Sequence, residues 1–254
     1  MTGVLPITLE ESRKIVQALL YSGKEYVCVM KLHGDADEKQ VRKVIEEFTD
    51  TIYQRPPLRA SVKRQLRTRR IYYMDFVEIE GRNVLFKVGC EAGTYIRKLC
   101  YDMGEVLGCG AHMQELRRTR AGPFVEESKD IATLHDVAYW FAEWKEKKDE
   151  QILGRFIQPM ETALTLIPKI FVRDSAVDAI CHGANLTAPG VLSLETGIGK
   201  GSMVAILTLK GEAVALAGAV SSTEEILNLE HGVVAASKRV LMPRGTYPKV
   251  WSSG

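Results

Sequence analysis

The chain has 254 residues, 46% of them hydrophobic and 26% charged, with a formal net charge of +2. That length suits one or two domains, and the composition excludes a disordered or fibrous chain. No apolar run approaches the roughly 20 residues that cross a bilayer, the N-terminus lacks a signal-peptide layout, and five cysteines without a CxxC pair argue against a disulfide framework or a zinc site. A soluble protein of a reducing compartment is expected.

Thr8 followed by Glu11 reads as a capping box, with Leu9, Ile15, Val16, Leu19 and Leu20 at helical spacing and Gly23 as the stop. Tyr26 to Leu32 is rich in strand formers and predicts a strand buried on both faces. Asp37 opens a second helix whose apolar stripe is Val41, Val44, Ile45 and Phe48. Residues 71–79 and 84–90 alternate as paired strands around the turn Glu80-Gly-Arg-Asn83. Thr94 to Leu107 predicts an amphipathic helix with Ile96, Leu99, Cys100, Met103, Val106 and Leu107 inward, ended by Gly108. Residues 128–153 turn helical and then highly charged, which suggests a covering helix and a surface loop. After Pro168 the texture changes to short strands, such as 170–172, 204–208 and 214–217, punctuated by glycines. The pattern predicts an α+β first domain with mixed, mainly antiparallel pairing, a seam near residue 165, and a small β-barrel domain after it.

The charge is unevenly distributed. Residues 1–125 carry 21 Lys/Arg against 16 Asp/Glu, a net of +5, and residues 126–254 carry 13 against 16, a net of −3. An anionic partner therefore belongs with the first half. Within it, Arg55 to Arg70 (RPPLRASVKRQLRTRR) holds seven basic residues and no acid. Such a run is either a solvated charged face or a phosphate-contacting loop. Three smaller features stand beside it. Arg97 falls in the first turn of a helix, where the macrodipole disfavours a cation, so either it has an anionic partner or it is a plain surface arginine. Tyr26 on its strand is a core aromatic or a site residue. Leu116-Arg-Arg-Thr-Arg-Ala-Gly-Pro-Phe124 is a solvated stretch or the lining of an anionic groove.

Taken together, Lys24-Glu-Tyr26-Val-Cys-Val-Met-Lys-Leu-His33, Gly93-Thr-Tyr-Ile-Arg97-Lys-Leu-Cys100 and the 116–124 segment resemble, in order and spacing, motifs of the TruB-type pseudouridine synthases. Thr2-Gly-Val-Leu-Pro6 and Pro56-Pro-Leu-Arg-Ala-Ser-Val-Lys63 are similar to the archaeal Cbf5 and eukaryotic dyskerin branch. Residues 173–184, 208–214 and 245–248 resemble the PUA domain of that branch. The resemblance spans essentially the whole chain. It implies a pseudouridine synthase catalytic domain over 1–165 and a PUA RNA-binding domain over 166–254.

The resemblance also implies a chemistry. The family breaks the N1–C1′ bond of a uridine in RNA, rotates the base and rejoins it through C5, with no cofactor and no metal. The target base leaves its stack to be reached. Tyr26 matches the aromatic that stacks on it. Arg97 matches an arginine that pairs with the family's catalytic aspartate and keeps it ionised. Leu116 matches an apolar residue near the pocket, and Arg118 a neighbouring basic one. Arg55 to Arg70 corresponds to the thumb loop over substrate RNA, which makes Arg59, Lys63, Arg64 and Arg67 candidate RNA contacts. The implied partners are a box H/ACA guide RNA, substrate RNA, and the proteins Nop10, Gar1 and L7Ae, in an archaeal cytoplasm with no membrane. In the family the aspartate precedes the Val-Thr-Gly-Val-Leu-Pro segment that this chain enters at Met1-Thr-Gly-Val-Leu-Pro6, so the nucleophile is expected just before Met1. Two classes follow: a pseudouridine synthase whose 254 residues alone do not turn over, and a non-catalytic RNA-binding scaffold that keeps the pocket walls.

Overall fold

The computed structural model describes residues 2–57 and 63–249. Compactness divides the chain into one unit of residues 1–6 and 20–137 and another of residues 7–19 and 138–254. The first unit is built on a seven-stranded sheet. Its elements in chain order are β1 (Thr2–Gly3), α1 (Val16–Tyr21, begun in the other unit), β2 (Lys24–Leu32), α2 (Glu38–Glu47), β3 (Asp50–Gln54), β4 (Arg67–Glu80), β5 (Asn83–Cys90), α3 (Ile96–Leu107), β6 (Ala111–Ala121) and β7 (Phe124–Val125). The strand order is β1-β6-β2-β5-β4-β3, with β7 paired to β6. Only the β1–β6 pair is parallel; every other pair in this sheet is antiparallel.

Local sequence explains most of these elements. The Asp37 side chain accepts from the Lys39 N–H at 3.2 Å and caps α2, and Val41, Val44 and Ile45 are buried along one stripe. β4 and β5 meet at a tight turn in which Gly81 adopts φ +56°. Gly108, at φ +76°, ends α3 in the left-handed conformation. The helices α2 and α3 cover one face of the sheet, and the core between them holds Cys28, Met30, Leu32, Val84, Phe86, Val88, Leu99 and Met103.

Four expectations need correction. The Thr8 capping box does not form: a 3-10 turn starts at Glu10 behind Leu9, with no side-chain cap. This turn and the helix that follows it bury Ile15 and Ala18 and leave Leu9 and Leu20 exposed. β2 buries one face completely, through Cys28, Met30 and Leu32, and the other only in part. Val106 is exposed. Gly104 stands in the buried stripe of α3 instead, so close to the next strand that a Cβ there would come within 2.1 Å of the Ala111 nitrogen. The helix expected to cover the fold, α4 (Leu134–Lys147), buries none of its side chains.

The second unit carries a six-stranded sheet of barrel character in the order β10-β8-β11-β12-β13-β9. The strands are β8 (Lys169–Val172), β9 (Leu186–Thr187), β10 (Val191–Leu194), β11 (Met203–Thr208), β12 (Ala213–Ala219) and β13 (Val233–Val240), with α5 (Asp174–Cys181) and α6 (Thr223–Leu227) between them. α6 opens with a full Ser222–Glu225 capping box. Ile170, Val172, Val177, Ile180, Val204, Ile206, Val214 and Val234 form its core. The fold is α+β, a mixed sheet with helices followed by a small barrel-like domain, as expected.

Candidate functional site

Tyr26 lies on the central strand of the first sheet, paired with Val88 on one side and Arg118 on the other. Side-chain alternation puts it on the helix-covered face with Cys28 and Met30, where it is half-buried at the margin of the core. Burial pushes its phenol up from the ordinary value, the Cys90 thiol adds to this, and the positive charge of Arg118 pulls the other way. Leu116 pairs with Cys28 and packs at the edge of the same core. Tyr26, Leu116 and Arg118 are therefore brought together on adjacent strands.

Arg118 is held by the start of the chain. Its Nε donates to the Val4 carbonyl at 2.7 Å, and the Val4 N–H donates to the Arg118 carbonyl at 2.8 Å. β1 lies so close that a Cβ on Gly3, which sits at φ +102°, would fall 2.1 Å from the Arg118 carbonyl oxygen. The neighbouring arginines face acids: Arg117 is bidentate to Glu126, and Arg120 lies 3.9 Å from the Glu25 carboxylate and donates to the Tyr73 hydroxyl at 2.8 Å. Among the described residues, Arg118 has no carboxylate partner.

Arg97 is the second residue of α3 and is exposed. Among the described residues it makes no ion pair or side-chain hydrogen bond, and the first helical turn holds no acid. Ile96, Leu99, Cys100 and Met103 seat α3 on the sheet face that bears Tyr26. The Cys28 and Cys100 sulfurs approach to 3.6 Å, which joins the strand carrying Tyr26 to the helix carrying Arg97. Two uncompensated guanidinium groups and one half-buried aromatic ring suit an anionic, planar ligand.

The basic run divides. Arg59 lies outside the described residues. Lys63 and Arg64 are exposed, and Arg67, the first residue of β4, donates to the Lys63 carbonyl at 3.3 Å. None of these three is ion-paired among the described residues. Arg69 and Arg70 have acidic partners that the run itself lacks: Glu91 at 3.7 Å and Asp50 at 3.8 Å.

Sequence reading missed a polar network on the opposite face of the sheet. Glu25, with its side chain 12% exposed, accepts from the Tyr73 hydroxyl and, at 2.7 Å, from the Thr119 hydroxyl, with Lys87 at 3.3 Å. These donors hold the Glu25 carboxyl below its ordinary value against the opposing effect of burial, and burial together with the Glu25 bond pushes the Tyr73 phenol up to about 12. Strand alternation alone would have placed Glu25 opposite Tyr26; its partners come from three other strands. In the second unit, Lys14, His182 and Arg244 line a cleft of about 280 Å³. Among the described residues no group of three or more His, Cys, Asp or Glu side chains is arranged to hold a metal ion.

Comparison with known proteins places these features. Residues 1–96 match the TruB family pseudouridylate synthase N-terminal domain, residues 97–165 the tRNA pseudouridylate synthase B C-terminal domain, and residues 168–241 the PUA domain. The chain is 58% identical over 251 residues to a probable tRNA pseudouridine synthase B of Methanopyrus kandleri, covering 99% of this chain and 74% of that protein. A probable tRNA pseudouridine synthase B of Pyrococcus abyssi is 53% identical, with 99% and 75% covered. Among solved structures, a Cbf5-Nop10-Gar1 complex matches with TM-score 0.93 and 52% identity over 98% of this chain and 75% of that one. An H/ACA RNP bound to a substrate RNA containing 2′-deoxyuridine matches with TM-score 0.88 and 48% identity over 98% and 75%. The chain belongs to the TruB family of pseudouridine synthases, with a PUA domain at its C-terminal end.

Proposed function

We propose that this chain acts within a box H/ACA guide ribonucleoprotein that isomerises uridine to pseudouridine in rRNA, and also in tRNA. In this reading residues 1–165 handle the target uridine and residues 166–254 hold guide RNA. The observation that carries it is the pairing of Tyr26 with Arg118 on a sheet face covered by the helix that bears an uncompensated Arg97. The half-buried Tyr26 ring offers a stacking surface to a base taken out of its helix, a contact that tolerates any flanking sequence and suits a target chosen by a guide. Arg118 supplies positive charge for the phosphates beside that base, and Arg97 supplies it at the base itself, for a carboxylate acting there. Leu116 closes the apolar side. Lys63, Arg64 and Arg67, together with Arg59, neutralise the backbone of the substrate strand.

The isomerisation balances within the substrate: the N1–C1′ bond breaks, a C5–C1′ bond forms, C5 gives up its proton and N1 gains one. The solved relatives with Nop10, Gar1 and H/ACA RNA support those partners for this chain, and the proposal adds L7Ae and a cytoplasmic setting. The Lys14, His182 and Arg244 cleft offers positive charge for guide RNA.

A second reading, a non-catalytic RNA-binding scaffold, is favoured by one observation. No aspartate among the described residues pairs with Arg97: Asp35 pairs with Arg82, Asp102 with Lys98, and Asp37 caps α2. Release of tritium from C5-labelled uridine in substrate RNA, measured with a form of the protein that also carries the family's aspartate segment and is assembled on guide RNA, separates the two. Release supports the synthase; binding without release supports the scaffold.

A further inference from the structure

Gln54 is the last residue of β3 and is 2% exposed, although it stands at the head of the most basic segment of the chain. Its amide does not face the core. The Oε1 atom accepts from the Tyr95 N–H at 3.0 Å, and the Nε2 group donates to the Tyr95 carbonyl at 3.2 Å. Only one orientation of the amide serves both bonds, because the flipped group would set a donor against a donor. Tyr95 is the N-cap of α3 and has no side-chain cap of its own. Its carbonyl also accepts the first helical bond, from Leu99 at 3.0 Å. A distant glutamine thus bonds the N-cap N–H, as the Glu or Gln of a capping box does from within the helix.

Two further contacts join the same places. Gln54 pairs with Arg67 across β3 and β4, the rung that closes the 55–66 segment. The Arg69 side chain, 19% exposed, lies against Gly93, where a Cβ would come within 3.2 Å of its guanidinium. Glu91, at the other end of that short turn, accepts from the Arg70 N–H at 3.0 Å. Both strands that carry the basic segment therefore grip the 91–95 turn. Arg97 follows two residues later, on the first turn of the helix whose start Gln54 fixes.

We propose that Gln54 is a positioning residue for Arg97: its two-way clamp on Tyr95 sets where α3 begins and so where the Arg97 guanidinium points. This rests on the reading above that Arg97 acts at the target uridine. A buried amide serving only its own hydrogen bonds would matter for stability; a positioning amide matters for recognition of the base.

The test uses the whole chain and two fluorescein-labelled single-stranded RNAs, one with a central uridine and one abasic at that position. Their affinity ratio reads the base pocket and is blind to phosphate contacts and to the fraction folded. Gln54→Met keeps the shape and removes both bonds; it is expected to cut the uridine-to-abasic ratio by about tenfold while abasic affinity stays within about twofold, the loss expected of two ligand-positioning hydrogen bonds. Arg97→Ala is expected to cut the ratio as much, and the double variant no further. A full ratio in Gln54→Met beside a lost ratio in Arg97→Ala overturns the positioning role and leaves the site intact. A full ratio in both overturns the site reading and the proposal with it. Losses that multiply in the double variant also overturn the proposal. Should Gln54→Met fail to melt cooperatively, Gln54→Glu decides. Its carboxylate accepts from the Tyr95 N–H but donates nothing to the Tyr95 carbonyl, so the ratio is expected to fall as it does in Arg97→Ala. A ratio equal to that of the wild type overturns the proposal.

Discussion

β2 and β12 hold the same station in their sheets, each a central strand with a hydrogen-bonded neighbour on both sides. They are buried differently. Every residue of β12, Ala213 to Ala219, is buried, and its sequence AVALAGA offers side chains small enough to be covered on both faces. β2 is fully covered on one face and only partly on the other, and even the covered face ends at the half-buried Tyr26. A sheet covered on both faces leaves its central strand no room for chemistry. An open sheet with helices on one side leaves margins where a ring or a guanidinium remains within reach of a ligand. The site proposed in the first unit sits at such a margin, whereas the second unit offers its charges around a surface cleft beside α5.

The contrast can be broken or sharpened experimentally. The largest effect is expected at the margin: in a ribonucleoprotein assembled with a form of the protein that carries the family's aspartate segment, Arg97→Ala should lower tritium release by about 100-fold or more, as loss of a charged group aimed at reacting atoms does, with guide-RNA affinity unchanged. Unaltered release would remove Arg97 from the site. Replacing Lys63, Arg64 and Arg67 together with Gln should flatten the dependence of log Kd on log salt by about 2 for single-stranded RNA; an unchanged slope, measured by fluorescence anisotropy, would assign these residues to a solvated face. In the barrel the expected loss is of stability. Ala215→Leu forces a larger side chain into a strand with no free face and should cost about 2 kcal/mol in urea unfolding, against under about 1.5 kcal/mol for Val27→Leu on the partly covered face of β2. Equal costs would erase the distinction between the two strands.

The smallest effect concerns the Glu25 network. The Tyr73 phenol is raised from 10.0 to about 12 in the folded protein. A raised folded value means that the native state holds its proton longer than the unfolded chain, so the contribution is complete below pH 10 and is lost as the pH rises toward 12. Thermal melts between pH 9 and 12 should show a steeper fall for the wild type than for Tyr73→Phe. Parallel curves would mean that the hydroxyl is not held by Glu25.

Elements with a local cause were legible in the sequence: α2 from Asp37 and its stripe, the β4–β5 hairpin from its turn, the end of α3 from Gly108. Tyr26, Arg97, Leu116 and Arg118 stand out as site candidates only as members of motifs, because each alone fits a bland role. What sequence could not supply was partnership across distance. The acids that neutralise Arg69, Arg70 and Arg117 are Glu91, Asp50 and Glu126, and no spacing rule relates them to their arginines. Gln54 was invisible for the same reason, since its partner lies 41 positions along the chain. The N-terminal helix failed differently. The Thr8–Glu11 pattern was present, but the helix begins later as a tighter turn, and the local signal lost to the packing of Ile15 and Ala18.

The register shift between β2 and β6 has a consequence for how one strand serves two masters. Tyr26 faces Arg118 and Glu25 faces Arg120, so one extra residue, Thr119, is accommodated in β6 between them. In a regular strand residues 118 and 120 would project to the same side, and two guanidinium groups would crowd the tyrosine. The bulge sorts them: Arg118 stays with the ring, while Thr119 and Arg120 both turn to Glu25 on the reverse of the sheet. A single inserted threonine, itself only 7% exposed, converts a run of like charges into one charge for each side. Deleting it would reverse that allotment for every residue of β6 that follows.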